Sequence, residues 1–364
     1  MLVSMFVPVV GSGGKPLMPC HQARARELVR SGRAIRRFDR GLFYIRLTDR
    51  ADGNVQPIAA GIDPGSKKEA FTVKSEAHTY LNIQADAVTW VSDAVKTRRE
   101  MRHGRRGRNT PYRACRQNRG AKEGWLPPST KARWGWKLRI CNWLSRYYPI
   151  TVFAVEDIKT KTRKGQRQWN KSFSPLEIGK RWFYAELKKL AKVETYCGYE
   201  TKVFRDALGL RKTKDKMSGR FDAHCVDSWV LANAMVGGHS RPDNVWIMYI
   251  VPLRFHRRQL HRLQPGKGGE RHRYGGMVSL GFKRGTWVRH PTRGVAYVGG
   301  CMNGRISLHG LRDGRRLCQD AKPEDCVVLT RCSWRAYTEK RKEGAGFASL
   351  HRHKVAGGIP ARTS

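Results

Sequence analysis

The sequence predicts an α/β protein. Its buried strands are far apart in the chain, with a small β-rich unit ahead of them and a β-rich, barrel-like unit behind. Three observations lead there. Two short, nearly all-apolar runs, Ile58-Ala59-Ala60-Gly61-Ile62 and Ile150-Thr151-Val152-Phe153-Ala154-Val155, end in the acids Asp63 and Glu156-Asp157, as central strands covered on both faces do. A stretch carrying Ile178, Trp182, Ala185 and Leu190 has its apolar residues at helical spacing. Beyond Arg254, short β patterns alternate with glycines: Thr286-Trp287-Val288, Val295-Ala296-Tyr297-Val298 and Ile306-Ser307-Leu308.

In chain order, the apolar start Met1 to Val10 runs into Gly11-Ser12-Gly13-Gly14 without a basic flank or a small-residue cleavage site, so it reads as a strand and turn rather than a signal peptide. A helix is expected from about Cys20 to Ser31, with Gly32 as its C-cap. Strands at Ala34 to Arg37 and Leu42 to Leu47 flank the turn Asp39-Arg40-Gly41. The run 58–63 breaks at Pro64-Gly65-Ser66 and continues as a meander through strands near Glu69–Lys74 and His78–Gln84. Helices follow near Ala87 and over Thr130–Tyr147, then Pro175–Ala191 and Phe221–Met235, with a further strand at Lys202–Phe204. Residues 338–364 are basic and glycine-containing, as loosely ordered tails are.

Composition narrows the partner. The 364 residues hold 72 Lys and Arg against 29 Asp and Glu, a net charge of +43. With 40% apolar and 10% aromatic residues the chain has the means to fold. Solubility needs far less charge. A polyanion is therefore the expected partner, and nucleic acid fits best because clustered cations gain by displacing its counterions. No apolar run approaches the ~20 residues of a membrane span. The nine cysteines form no C-x-x-C pair, which leaves zinc ribbons and disulfide frameworks unsupported and makes reduced thiols the default. The cations concentrate at Lys96, Arg98, Arg99, Arg102, Arg105, Arg106, Arg108, Arg113, Arg116 and Arg119, with no acid between Glu100 and Glu123. Tyr112 and Gly104, Gly107 and Gly120 interleave with them. Exposed helices ordinarily mix signs, so this unmixed stripe reads as a nucleic-acid contact.

Three acids sit where chemistry is commonly placed. Asp63 and Glu156 end buried strands, and Asp227 lies on a helix three residues after His224, a spacing that stacks the two on one face. Asp222, about 140° round the same helix, points elsewhere. Glu156 and Asp157 face opposite sides of their strand, so only one joins the site. Carboxylates gathered at strand ends suit Mg²⁺ or Mn²⁺. Two such ions roughly 3.5–4 Å apart would serve phosphodiester hydrolysis. His224 is placed as a ligand or a general acid/base.

Gly61-Ile62-Asp63-Pro64-Gly65-Ser66 resembles the first RuvC motif of RNase H-like nucleases, Val155-Glu156 the second, and His224-x-x-Asp227 the third. The Arg-rich helix resembles the bridge helix of RNA-guided nucleases. Lys15-Pro16-Leu17-Met18-Pro19 looks like the segment that names the PLMP domain of IscB-like transposon proteins. Arg257-Arg258-Gln259-Leu260-His261 and Tyr274-Gly275-Gly276 are similar to their C-terminal region. IscB proteins carry an HNH nuclease between the second and third motifs. Here residues 157–223 hold no histidine and only Cys197 among cysteines, so the chain resembles the HNH-lacking branch, IsrB. Glu69-Ala70 departs from the family's glycine-containing turn and puts the local hairpin in question.

The resemblance implies an RNase H-like mixed-sheet core split in sequence. It divides the chain into a PLMP domain (1–52), a RuvC-I segment (53–87), a bridge helix and linker (88–125), a RuvC-II segment (126–160), a RuvC-III segment (161–250), a C-terminal domain reading a target-adjacent motif (251–337) and a basic tail (338–364). It implies Asp63, Glu156, His224 and Asp227 as catalytic and metal-binding residues for two Mg²⁺, with Mn²⁺ able to substitute. The nucleic-acid contacts would be Arg98, Arg99, Arg102, Arg105, Arg106, Arg108, Arg113, Arg257, Arg258, Arg273 and Tyr274. The implied activity is nicking of the non-target strand of double-stranded DNA beside a short flanking motif, directed by a long structured guide RNA (an ωRNA). The protein would be a monomer within a ribonucleoprotein, in the prokaryotic cytoplasm and at the nucleoid when bound to DNA. Two readings compete: a catalytically silent RNA-binding protein of the transposon, and a guide-free, structure-selective endonuclease.

Overall fold

The structure, a computed structural model, describes residues 6–107, 126–159, 174–254, 263–264, 269–270 and 277–338. These pack as two units. One draws on the described residues of Met1–Asn54 and Trp246–Ala345 together with Ile83–Ala85, the middle of a strand whose two ends count with the other; the other draws on the described residues of Val55–Asn82 and Asp86–Val245.

The first unit opens with β1 (Phe6–Val10), β2 (Pro16–His21), α1 (Gln22–Arg30), β3 (Ala34–Asp39) and β4 (Leu42–Leu47). The strands form a sheet of order β2-β1-β4-β3, in which β1 runs parallel to β4. Val7, Val9, Leu17, Ile45 and Leu47 of the sheet bury against Ala25 and Leu28 of α1. The helix starts two residues later than expected because Pro16–His21 is consumed by β2, and His21 Nδ1 accepts the Ala23 amide as its cap. Gly32 takes a positive φ of 72° just past the helix, where a side chain would be strained.

The second unit carries β5 (Ile58–Asp63), β6 (Lys68–Ser75), β7 (Thr79–Asp86), α2 (Trp90–Arg106), α3 (Pro128–Leu144), β8 (Val152–Asp157), α4 (Pro175–Lys188), β9 (Lys192–Cys197), α5 (Gly198–Ala207) and α6 (Cys225–Val236). Its strands lie in the order β7-β6-β5-β8-β9. β5 pairs antiparallel with β6, from Ile58↔Ser75 to Asp63↔Ala70, so the hairpin that Glu69 put in question is formed. β5 and β8 are parallel, as are β8 and β9, giving a mixed sheet in an α/β unit. Every residue of β5 is buried, as its run of small and branched apolar side chains requires.

Gly61 decides how closely α6 can approach this sheet. A Cβ there would stand 1.8 Å from the Ser228 carbonyl oxygen, so only glycine admits the helix. Two buried polar bonds hold it: Thr72 and Ser228 hydroxyls meet at 2.8 Å, and Trp229 Nε1 donates to Thr79 Oγ1 at 2.9 Å.

Three further elements differ from expectation. Lys202–Phe204 is not a strand but the middle of α5; β9 ends at Cys197, whose amide donates to Glu200 Oε2 at 2.7 Å and so starts a helix. Phe221–His224 forms turns, and α6 begins only at Cys225. α2 likewise begins after Ala87, whose amide is held by the Lys67 carbonyl.

The first unit continues with β10 (Ile247–Pro252), the two-residue ladders β11 (Leu263–Gln264) with β12 (Gly269–Glu270) and β13 (Val278–Ser279) with β14 (Phe282–Lys283), then β15 (Trp287–His290), β16 (Gly294–Met302), β17 (Arg305–Gly310), β18 (Arg316–Ala321), β19 (Val327–Thr330) and β20 (Trp334–Thr338). β20 pairs antiparallel with β10. The other five of these longer strands form an antiparallel sheet of order β18-β17-β16-β15-β19 around Val288, Val298, Ile306 and Leu308. The β3–β4 turn packs into this region: Trp334 Nε1 donates to the Arg40 carbonyl, Thr330 Oγ1 donates to Asp39 Oδ1, and a Cβ on Gly41 would strike Met248 at 2.7 Å.

Candidate metal centre

Parallel pairing of β5 and β8 in the register Ile62↔Val155 sets the next residues, Asp63 and Glu156, side by side at the strands' carboxyl ends. Strand alternation places Asp63 on the face of Gly61 and Glu156 on the face of Ala154. Both of those face α6: Gly61 abuts Ser228, and Ala154 clusters with Leu231. Asp227 comes from the first turn of α6. The three carboxylates therefore converge, each offering an oxygen within 4.8 Å of the others'. Asp227 is 2% exposed and Asp63 8%.

Asp157 turns the other way, as strand alternation requires. It pairs with Lys180 of α4 at 2.8 Å and accepts the Tyr184 hydroxyl at 2.9 Å, so it takes no part in the cluster. Asp222 also stays apart, pairing with Arg220 at 3.1 Å. His224 does reach the site, but from the residue just before α6 rather than from a helical turn. Its Nδ1 is 3.7 Å from Asp63 Oδ2, while its Nε2–H donates to the Lys216 carbonyl at 2.9 Å. Gly198, the first residue of α5, leaves space for Glu156: a Cβ there would lie 2.9 Å from Oε1.

Three carboxylates this close repel one another. Burial, and then the charges of Asp63 and Asp227, push the Glu156 carboxyl up to about 7, against a partial offset from Lys212 and Arg205. Those cations are the site residues that sequence reasoning missed. Arg205 Nη1 and Lys212 Nζ bond to the two oxygens of Asp227, and Lys212 Nζ also lies 4.0 Å from Asp63 Oδ2. For Lys212, burial pulls toward the neutral amine, but Asp63 and Asp227 outweigh it and hold the ammonium. For His224, burial is likewise outweighed, by Asp63 and the Lys216 carbonyl, and its pKa is raised. In a chain with 72 Lys and Arg, nothing in the sequence marks these two as different.

A further buried ion pair lies in the same unit. Glu69, pushed up to about 7 by burial against the pull of Lys137, receives a hydrogen bond from Lys137 Nζ at 2.6 Å.

Of the basic stripe, Arg98, Arg99, Arg102 and Arg106 are exposed on α2, where Lys96 and Glu100 make one loose ion pair at 3.9 Å. Arg105 belongs to the same helix, but its side chain lies outside the described residues, as do Arg108, Arg113, Arg257, Arg258, Arg273 and Tyr274. No helix among the described residues is long and apolar enough to cross a membrane.

Residues 7–172 match the family described as RRXRR protein. No curated protein matches the chain by sequence. Among solved structures, the chain is similar to Thermus thermophilus RuvC in complex with a Holliday junction substrate, at 14% identity and a TM-score of 0.27 over 50% of this chain and 98% of that one. A second structure of Thermus thermophilus RuvC aligns at 15% identity and a TM-score of 0.27, over 50% of this chain and 97% of that one.

Proposed function

We propose that this chain is a metal-dependent endodeoxyribonuclease of the IsrB kind, which nicks the non-target strand of DNA selected by a guide RNA. The observation that carries the reading is the single cluster of Asp63, Glu156 and Asp227 found among the described residues. A mixed sheet of order β7-β6-β5-β8-β9, the RRXRR match and the exposed cations of α2 support it.

The donor set fits Mg²⁺ or Mn²⁺. It is all hard carboxylate oxygen, partly buried, and the glycine beside Glu156 leaves the carboxylate room. Asp63, Glu156 and Asp227 would hold the ions. When bound, these supply Lewis acidity and a hydroxide-like water at neutral pH. His224 has its Nε2 occupied by the Lys216 carbonyl, which aims Nδ1 at the cluster, where it can hold or release a proton. The cations of α2 bind phosphates without reading sequence, and base pairing by a guide supplies the selectivity. With one carboxylate cluster among the described residues, one strand is cut. In this reading, residues 1–52 form the PLMP domain, 53–87, 126–160 and 161–250 the RuvC segments, 88–125 the bridge helix and linker, and 251–337 the domain that reads the flanking motif. The basic segment 338–364 follows as a tail.

The test is nicking of supercoiled plasmid carrying a guide match, using protein purified with its RNA. Asp63→Ala should abolish nicking and leave guide-dependent DNA binding intact. Nicking by that variant in Mg²⁺, or equal cutting of four-way junctions after complete RNase treatment, would overturn the reading.

A further inference from the structure

Three carboxylates within 4.8 Å of one another, in a site where Asp227 is almost wholly buried, need positive charge close by when no metal is present. The chain supplies it from two places that differ in kind. Arg205 belongs to α5, its side chain is 13% exposed, and it bonds to one oxygen of Asp227. Lys212 lies beyond α5 in a segment without helix or strand, its side chain is 32% exposed, and it bonds to the other. Only Lys212 also reaches Asp63, so its ammonium stands between carboxylates contributed by β5 and α6. That is a position a divalent cation would take, since both carboxylates belong to the candidate ligand set. A primary ammonium on a flexible stem is a compact point charge that can leave without breaking a helix. A guanidinium fixed on α5 cannot leave so simply.

We propose that Lys212 is a tethered counter-ion that occupies the cation position between Asp63 and Asp227 in the metal-free protein and is displaced when a divalent ion binds. It thereby sets the concentration of metal at which the site fills. Arg205 stays and orients Asp227. The inference rests on the metal-centre reading above, and it assigns Lys212 a role in metal affinity.

The experiment measures Mn²⁺ binding to the full-length protein by titration calorimetry and by the electron paramagnetic resonance signal of free Mn²⁺, for wild type, Lys212→Met, Lys212→Arg and Asp63→Asn. With no ammonium competing for the position between Asp63 and Asp227, Mn²⁺ binding should tighten by about tenfold or more in Lys212→Met. Lys212→Arg should stay near wild type, and Asp63→Asn should bind poorly. Melting gives a second readout: without metal, Lys212→Met should melt below wild type, and Mn²⁺ should raise its melting temperature by more. Equal or weaker Mn²⁺ binding by a folded Lys212→Met, in a wild type that does bind the ion, overturns the proposal alone. Absence of Mn²⁺ binding in every variant overturns it together with the metal-centre reading. Lys212→Gln, closer in polarity, serves if the methionine variant fails to fold.

Discussion

Helices α6 and α2 are opposites. α6 is buried without a break from Cys225 to Asn233, sits on β5, β6 and β8, and carries Asp227 into the carboxylate cluster. α2 buries Val91 near its start, and from Val95 onward every described side chain on it is exposed. The first helix owes its place to packing: Gly61 lets it touch the sheet backbone, and the Thr72–Ser228 and Trp229–Thr79 bonds fix its register. The second gains little from its neighbours. A helix polar all round and rich in one sign of charge is completed by a partner that neutralises it. In the proposed function, chemistry is built on the buried helix and substrate capture on the exposed one.

The comparison can be broken most severely at Gly61. Gly61→Val should cost about 3 kcal/mol or more, because the new side chain meets backbone that cannot yield. Chemical denaturation would show the loss, and Mn²⁺ binding should vanish with it. The converse change is on α2. Replacing Arg98, Arg99, Arg102 and Arg106 together with Gln should leave the melting temperature nearly unchanged, yet weaken nucleic-acid binding by tenfold or more. The slope of log affinity against log salt should fall by about 0.9 for each duplex phosphate that the variant no longer neutralises. An unchanged salt slope would show that this face does not meet the backbone.

A smaller effect is pH-dependent. The folded value of Glu156, about 7, lies above its ordinary 4.5, so the folded protein binds more protons than the unfolded one between them. The contribution of Glu156 to stability is therefore present below pH 4.5 and lost as pH rises to about 7. Denaturation of metal-free protein across that range should show the decline, and Glu156→Gln should flatten it. Mn²⁺ affinity should rise over the same window as the carboxyl deprotonates. The smallest effect concerns the next residue. Asp157→Asn should cost about 1 kcal/mol through Lys180 and Tyr184 and leave Mn²⁺ binding as it was. A loss of Mn²⁺ affinity there would mean that the strand's two faces are not separated as described.

Much of this was legible in the amino acids. Buried-strand runs located β5 and β8 within a residue or two, and their terminal acids supplied two members of the carboxylate cluster. The rule of alternation separated Glu156 from Asp157 without any knowledge of the fold. The helical pattern located α6 but not its start, because Phe221 and Ala223 in the turns before it extend the run of apolar residues upstream. Lys202–Phe204 was misread as a strand, since the cue that starts α5, Glu200 capping the Cys197 amide, lies upstream of the apolar residues.

The sequence by itself determined the electrostatic character of the protein, most of the strand and helix segments of its core and the acids available to it, since those follow from composition and local periodicity. The tertiary structure alone decided which cations meet those acids, and that His224 faces Asp63 from just outside the helix. Such contacts join residues distant along the chain, and local periodicity holds no record of distance in space.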